Sequence, residues 1–242
     1  MTENKKLNTN SNVYTIVYSA ILVIVVAFLL AFVYSALKPA QDVNVALDKK
    51  RQILAALNIR DLANDDIAGK YKQIILRDDV IDSENNVLET GSQGGEKAGF
   101  KLGSADYKAG RLAVYVCKIG EEIKYVIPVY GMGLWGPISG YVAINADKNT
   151  VYGAYFTHES ETAGLGAEIK DNVEWQKQFC GKKLTIPQHD GIALEVVKKN
   201  EVSNPSVQCD AVTGATLTTD GVSRMLKDCL GKYLKFLNDK NI

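Results

Sequence analysis

Residues 13 to 37 carry no charge: VYTIVYSAILVIVVAFLLAFVYSAL. A helix of that length reaches about 37 Å at 1.5 Å per residue, and the hydrocarbon core of a bilayer is roughly 30 Å thick. A cleaved signal peptide has a shorter apolar stretch and a small-residue cleavage site; here Lys38-Pro39 follows without one. The run predicts a retained single-span anchor, with residues 1–38 as tail and anchor. Lys5 and Lys6 precede the span, and Lys38, Lys49, Lys50 and Arg51 follow it. The positive-inside count therefore leaves its orientation open.

The rest of the 242 residues suffices for one sizeable core with an accessory piece. Lys and Arg total 28 and so do Asp and Glu. Zero net charge without a basic cluster argues against nucleic acid as a partner. Cys117, Cys180, Cys209 and Cys229 are widely spaced, and neither His158 nor His189 is near a cysteine in sequence. That pattern holds no zinc or iron–sulfur spacing; buried thiols are the expectation, and one disulfide is left open.

After the anchor, Val43, Leu47, Leu54 and Leu57 recur at helical spacing. They predict a juxtamembrane helix over residues 39–60, with Asp48 to Arg51 on its wet side. DDIAGKYKQIIL is weakly helical, and the glycine- and charge-rich TGSQGGEKAGFKLGSADYKAG reads as a long loop. RLAVYVCKI, KYVIPVYGMG, GYVAINA, TVYGAYFTHES and IALEVVK read as strands. DKNT forms a hairpin turn between two of them, and Trp175 falls in a short helix. From Gly221 to Leu237, Val222, Met225, Leu226, Cys229, Leu230, Tyr233, Leu234 and Leu237 mark the apolar face of a final helix. Strand meanders with a few helices imply an α+β fold, with a mixed, largely antiparallel sheet over residues 61–242.

GMGLWG, Gly131 to Gly136, spells the dinucleotide-binding fingerprint after a strand. That fingerprint must open a helix; Pro137 and a further strand follow instead, so the match is accidental. Its glycines shape a loop around Trp135. A second stretch, CDAVTGATLTTDGVSRML, crowds Thr213, Thr216, Thr218 and Thr219 before the last helix. Thr218 reads as its N-cap and Asp220 as a first-turn charge. The unpaired amides of such a helix end attract an anion, phosphate above all. By themselves these threonines read first as caps and turns.

DAVTGAT, Asp210 to Thr216, resembles the D-x-x-(S/T)-G-A-T signature of covalent flavinylation. In proteins with that signature a magnesium-dependent flavin transferase joins the FMN phosphate to the last threonine. The resemblance implies attachment at Thr216, with Thr213, Gly214, Ala215 and Asp210 in the motif's other places and Leu217 and Thr218 beside it. Thr218 and Thr219 are alternatives that the motif does not select. Gly133 to Ile169, with LWGP and ETAGLG, is similar to an FMN-binding domain family. The NqrC proteins of the Na+-translocating NADH:quinone oxidoreductase and the RnfG proteins of the related Rnf complex share that domain. The family implies that Leu134, Trp135, Glu161, Thr162, Gly164 and Leu165 line the flavin site. Most members have Pro where this chain has Ala163.

The ALDKKRQILAALNI segment, the Trp135 loop and the DKNTV turn favour the first of these two branches. The resemblance then implies a one-span electron-transfer subunit of a Na+-transporting NADH:quinone (ubiquinone) oxidoreductase, incomplete as a catalyst alone. It carries covalent FMN on an extracytoplasmic domain anchored in the inner membrane. Its partners are the other subunits of the complex, membrane lipid and the flavin transferase. The alternatives are an Rnf-type subunit with the same flavin and an anchored binding module without redox activity.

Overall fold

The computed structural model describes residue 9 and residues 11–239, so Lys5 and Lys6 lie outside the described residues. The uncharged run forms a helix, as predicted. Helix α1 spans Asn12–Ala56 and contains Pro39; its apolar window has a mean hydropathy of 3.0 and is wholly exposed. It is long and apolar enough to cross a membrane. The expected juxtamembrane helix does not start anew. Its residues continue α1 as far as Ala56, because one proline removes one backbone hydrogen bond without dictating a stop.

A compact unit begins at Lys49. Its first contribution to the core is the last turn of α1 and the residue after it, where Ile53, Leu54, Ala56 and Leu57 are buried. Lys50, expected on the wet side, is buried as well and pairs with Glu96 at 3.0 Å. Helix α2 (Asn64–Ile74) buries Ile67, Tyr71 and Ile74 along one stripe.

The central sheet contains β1 (Ile75–Ile81), β2 (Val87–Glu89), β3 (Leu112–Ile119), β4 (Glu122–Met132), β5 (Pro137–Asn145) and β6 (Val151–His158). Its order is β2-β1-β3-β4-β5-β6, antiparallel throughout. A separate parallel pair joins β7 (Glu195–Val197) to β8 (Gln208–Asp210). Short helices α3 (Ser104–Lys108), α4 (Glu168–Asp171) and α5 (Val173–Lys177) fill the connections, and α5 carries Trp175. Helices α6 (Thr216–Gly231) and α7 (Leu234–Asn238) end the described chain. This is the α+β architecture expected, with every predicted strand present. Residues 133–136 form the β4–β5 hairpin loop, so the glycine-rich GMGLWG opens no helix.

Two departures bear on the site. β1 escapes a reading by alternation because its centre holds Asp78 and Asp79. Both are buried, and both hold the loop that follows. Asp78 Oδ2 accepts the amides of Ala98 and Phe100 at 2.8 and 3.0 Å, and Asp79 Oδ1 accepts that of Gly91 at 2.9 Å. The final helix also begins at Thr216 rather than Gly221 and breaks after Gly231. Thr218 is therefore not its N-cap: Ala215 holds that position, and no side chain caps it. The four cysteines are free; Cys117, Cys209 and Cys229 are buried as expected, whereas Cys180 is exposed.

Removing a buried carboxylate that serves one buried and one half-buried amide leaves both donors unpaired. Asp78→Ala is expected to cost about 3 kcal/mol, read as a lower urea midpoint for the full chain in detergent micelles. An unchanged midpoint would show that the loop is held by something else.

Candidate functional site

Helix α6 places the threonine-rich segment. Val222, Met225, Leu226, Cys229 and Leu230 are buried along one stripe, against β4 and β7. That packing brings the helix N-terminus beside the β4–β5 loop and the segment after β6. Gly214 turns the chain into the helix at φ +77°, a left-handed conformation that favours glycine. Ala215 is buried, while Thr216 and Leu217 face solvent. The first-turn amides of a helix have no partner within it, and here no side chain caps them. Thr216 thus offers an exposed hydroxyl at a helix end suited to an anion.

A hollow of about 230 Å³ opens at this point. Its walls are Leu134 and Trp135 of the β4–β5 loop, Glu161, Thr162, Leu165 and Gly166 after β6, and Gly214, Ala215, Thr216, Leu217 and Thr218 of α6. Four large apolar side chains on it are exposed: Leu134 47%, Trp135 67%, Leu165 45% and Leu217 58%. Trp135 is therefore no core residue. Its backbone is held even so: its amide donates to Glu161 Oε1 at 2.9 Å and its carbonyl accepts from Ser160 Oγ at 3.2 Å. A tethered backbone presenting a bare indole suits a planar aromatic ligand.

Glu161 is the buried charged group of the hollow, beside the buried Thr218. Its Oε2 accepts from the Thr218 hydroxyl at 2.5 Å. Burial pushes its carboxyl up, but the Thr218 hydroxyl and the Trp135 and Gly136 amides outweigh that and hold it below its ordinary value of 4.5. His158 ends β6 half-buried, and its Nδ1 accepts the Glu161 amide at 3.2 Å. Thr219, also buried, turns its hydroxyl back onto the carbonyls of Ala215 and Thr216 at 2.9 and 3.0 Å. That uses Thr219 as a helix brace.

Ten of the thirteen residues expected at the site meet in this hollow. Asp210, Thr213 and Gly164 line a neighbouring one of about 440 Å³. There Asp210 Oδ1 accepts the Asn200 amide at 2.8 Å, and its carbonyl accepts Trp175 Nε1 at 2.7 Å. Lys199 Nζ donates to Thr213 Oγ1 at 3.0 Å. The leading acid of DAVTGAT thus secures the approach to α6 rather than facing Thr216. Gly166, the last residue of ETAGLG, is the wall residue that was not among the expected ones. A Cβ there would lie 2.4 Å from Glu161 Oε2 and 2.6 Å from Thr218 Oγ1. Its place two residues after Gly164 was a usable signal; Lys199 gave none.

The donor set fits FMN: amides and a hydroxyl for the phosphate at the head of α6, and exposed apolar side chains for the ring. Residues 133–231 match the family model of the FMN-binding domain. The chain is 32% identical over 241 residues to the NqrC protein of the Na(+)-translocating NADH-quinone reductase from Haemophilus ducreyi, covering 93% of this chain and 92% of that one. The corresponding protein of Pseudomonas aeruginosa is 30% identical over 250 residues, with 93% and 94% covered. Among solved structures, the same protein from Parabacteroides distasonis superposes with a TM-score of 0.77 at 32% identity, over 85% of this chain and 98% of that one. Shewanella oneidensis NqrC, at 23% identity and a TM-score of 0.64 over 79% and 95%, shares the fold.

A carboxyl held below its unfolded value stabilises the fold fully above that value and loses the contribution as pH falls through the folded one. The stability gap between the wild-type chain and Glu161→Gln is expected to be about 1 kcal/mol near neutral pH. In urea denaturation it should stay level down to about pH 5 and narrow below 4.5. A gap unchanged at pH 3 would mean that the ionised form is not the one being stabilised.

Proposed function

This chain belongs to the NqrC family of the Na(+)-translocating NADH-quinone reductases, and we propose that it relays electrons through FMN esterified to Thr216. The observation that carries this reading is the exposed Thr216 hydroxyl at the uncapped head of α6, inside a hollow rimmed by Leu134, Trp135, Leu165 and Leu217. FMN, when bound, supplies one- and two-electron redox chemistry. The chain's own work is to hold it, orient it and set its surroundings.

The parts divide by chemistry. Thr216 Oγ provides the point of attachment, forming the ester to phosphorus as its proton and the donor's leaving group depart. A threonine hydroxyl is a weak nucleophile without a neighbouring base; no side chain in the hollow is placed to activate it, since Glu161 is engaged with Thr218 and Trp135. Attachment then falls to a separate enzyme, the magnesium-dependent flavin transferase that the resemblance of DAVTGAT to the flavinylation signature implies. The first-turn amides of α6 stabilise the phosphate charge. The indole of Trp135 and the side chains of Leu134, Leu165 and Leu217 flank the ring system. Asp210 and Thr213, on the approach to α6, and Gly164, after β6, line the neighbouring hollow beside the attachment point, with Thr213 steadied by Lys199.

Helix α1 supplies the span of the proposed anchor through residues 13–37, and the proposed FMN domain is the 61–242 segment of the chain, within which residues 133–231 match the family model. The domain lies on the extracytoplasmic side of the inner membrane, against other subunits of the complex and membrane lipid.

Co-expression with an active flavin transferase is expected to yield a fluorescent band on a denaturing gel. Intact mass should rise by one FMN less water. Thr216→Ala loses both signals, and Thr213→Ala, with Thr216 intact, loads more slowly. An unmodified wild-type chain beside a modified control protein would sink the covalent reading and favour an anchored module without redox activity.

A further inference from the structure

Glu161 joins two elements that the chain brings together from far apart. Its Oε1 takes the Trp135 amide at 2.9 Å from the β4–β5 loop, and its Oε2 takes the Thr218 hydroxyl at 2.5 Å from the first turn of α6. The carboxylate is only 7% exposed. Glycines make room for it: a Cβ at Gly133 would sit 2.5 Å from Oε1, and one at Gly166 would sit 2.4 Å from Oε2. The segment carrying Glu161 is itself tied down, by its amide to His158 Nδ1 at 3.2 Å and by Ser160 Oγ to the Trp135 carbonyl at 3.2 Å. One carboxylate thus fixes the backbone beneath the exposed indole relative to Thr216, two residues before Thr218. It also places a negative charge in the wall of the hollow, where water is partly excluded and charge acts strongly.

Building on the flavin reading, we propose that Glu161 is a positioning residue. It locks the Trp135 loop to the head of α6 and, as a fixed negative charge in the same hollow, lowers the reduction potential of the flavin carried by Thr216. Adding an electron to the flavin adds negative charge beside the carboxylate, which disfavours reduction. The lock and the charge are separable. In Glu161→Gln the amide oxygen still accepts from Trp135 and the amide nitrogen donates to Thr218 Oγ, so the lock stays and the charge goes. In Glu161→Ala both go.

The test uses the full chain in detergent micelles, first without flavin and then loaded by the transferase. In the flavin-free chain, hydrogen exchange at the Trp135 amide is expected to quicken about tenfold in Glu161→Ala and to stay near wild type in Glu161→Gln. In the loaded chain, the midpoint potential is expected to move upward in Glu161→Gln with the Trp135 amide still protected. Wild-type exchange in Glu161→Ala overturns the lock, and a wild-type potential in Glu161→Gln overturns the charge effect. Failure of the wild-type chain to take flavin would refute the attachment reading, while the exchange measurement on the flavin-free chain would still decide the lock.

Discussion

The close approach of α6 to the end of β4 is the constraint on which the site depends. A Cβ at Gly221 would lie 2.5 Å from the carbonyl oxygen of Met132, and one at Gly131 would lie 2.7 Å from Cβ of Met225. Glycine on each side lets backbone meet backbone and side chain at distances that any other residue forbids. Met132 ends β4 immediately before the loop that holds Trp135, and Gly221 lies five residues after Thr216. The contact therefore sets the gap between loop and helix head, which is the width of the hollow. The antiparallel register of β4 with β5, from Lys124↔Asn145 to Met132↔Pro137, gives the loop a firm base.

On that base, electrostatics and exposed apolar surface work at opposite ends of one small space. The helix head gathers partial positive charge from its unpaired amides. Glu161 answers part of it from inside, and the exposed Thr216 side leaves the rest for a ligand phosphate. Leucines and a tryptophan left in water cost free energy in an isolated domain. Gathered around one hollow, they mark a place where something apolar and flat is expected to lie.

Much of this was legible in the sequence, for reasons that differ residue by residue. The anchor and strands β3 to β6 announce themselves because burial dictates their pattern, and Trp135, Leu165 and Thr216 came from motifs. β1 hid because Asp78 and Asp79 are buried against loop amides that only the folded chain supplies. The head of α6 lies earlier than its apolar pattern suggests, because Thr216, Thr218 and Thr219 look like caps and turn formers. Two of them instead satisfy their hydroxyls elsewhere, Thr218 on Glu161 and Thr219 on backbone carbonyls, so the helix extends through them. Glu161 stood out as a site residue, but not as a tie, since its partners lie 26 and 57 positions away. Asp210 had a motif place without a direction, and the fold turned it toward Asn200.

The openness of the hollow bears on why attachment would be covalent. About 230 Å³ falls below the roughly 300–1,000 Å³ of pockets that enclose a small ligand. A flavin seated here keeps much of its surface outside, so burial contributes little affinity, and a non-covalent cofactor would dissociate on dilution. Deepening the pocket would raise affinity but shield the ring from redox partners. The proposed ester at Thr216 would separate the two demands: retention would be met at the phosphate end, by one bond at the head of α6, and the ring end would be left open. Thr216 then has to be exposed and adjacent to the apolar rim, but not inside it. Its position in the first turn of α6, next to exposed Leu217 and across from Trp135, satisfies that geometry.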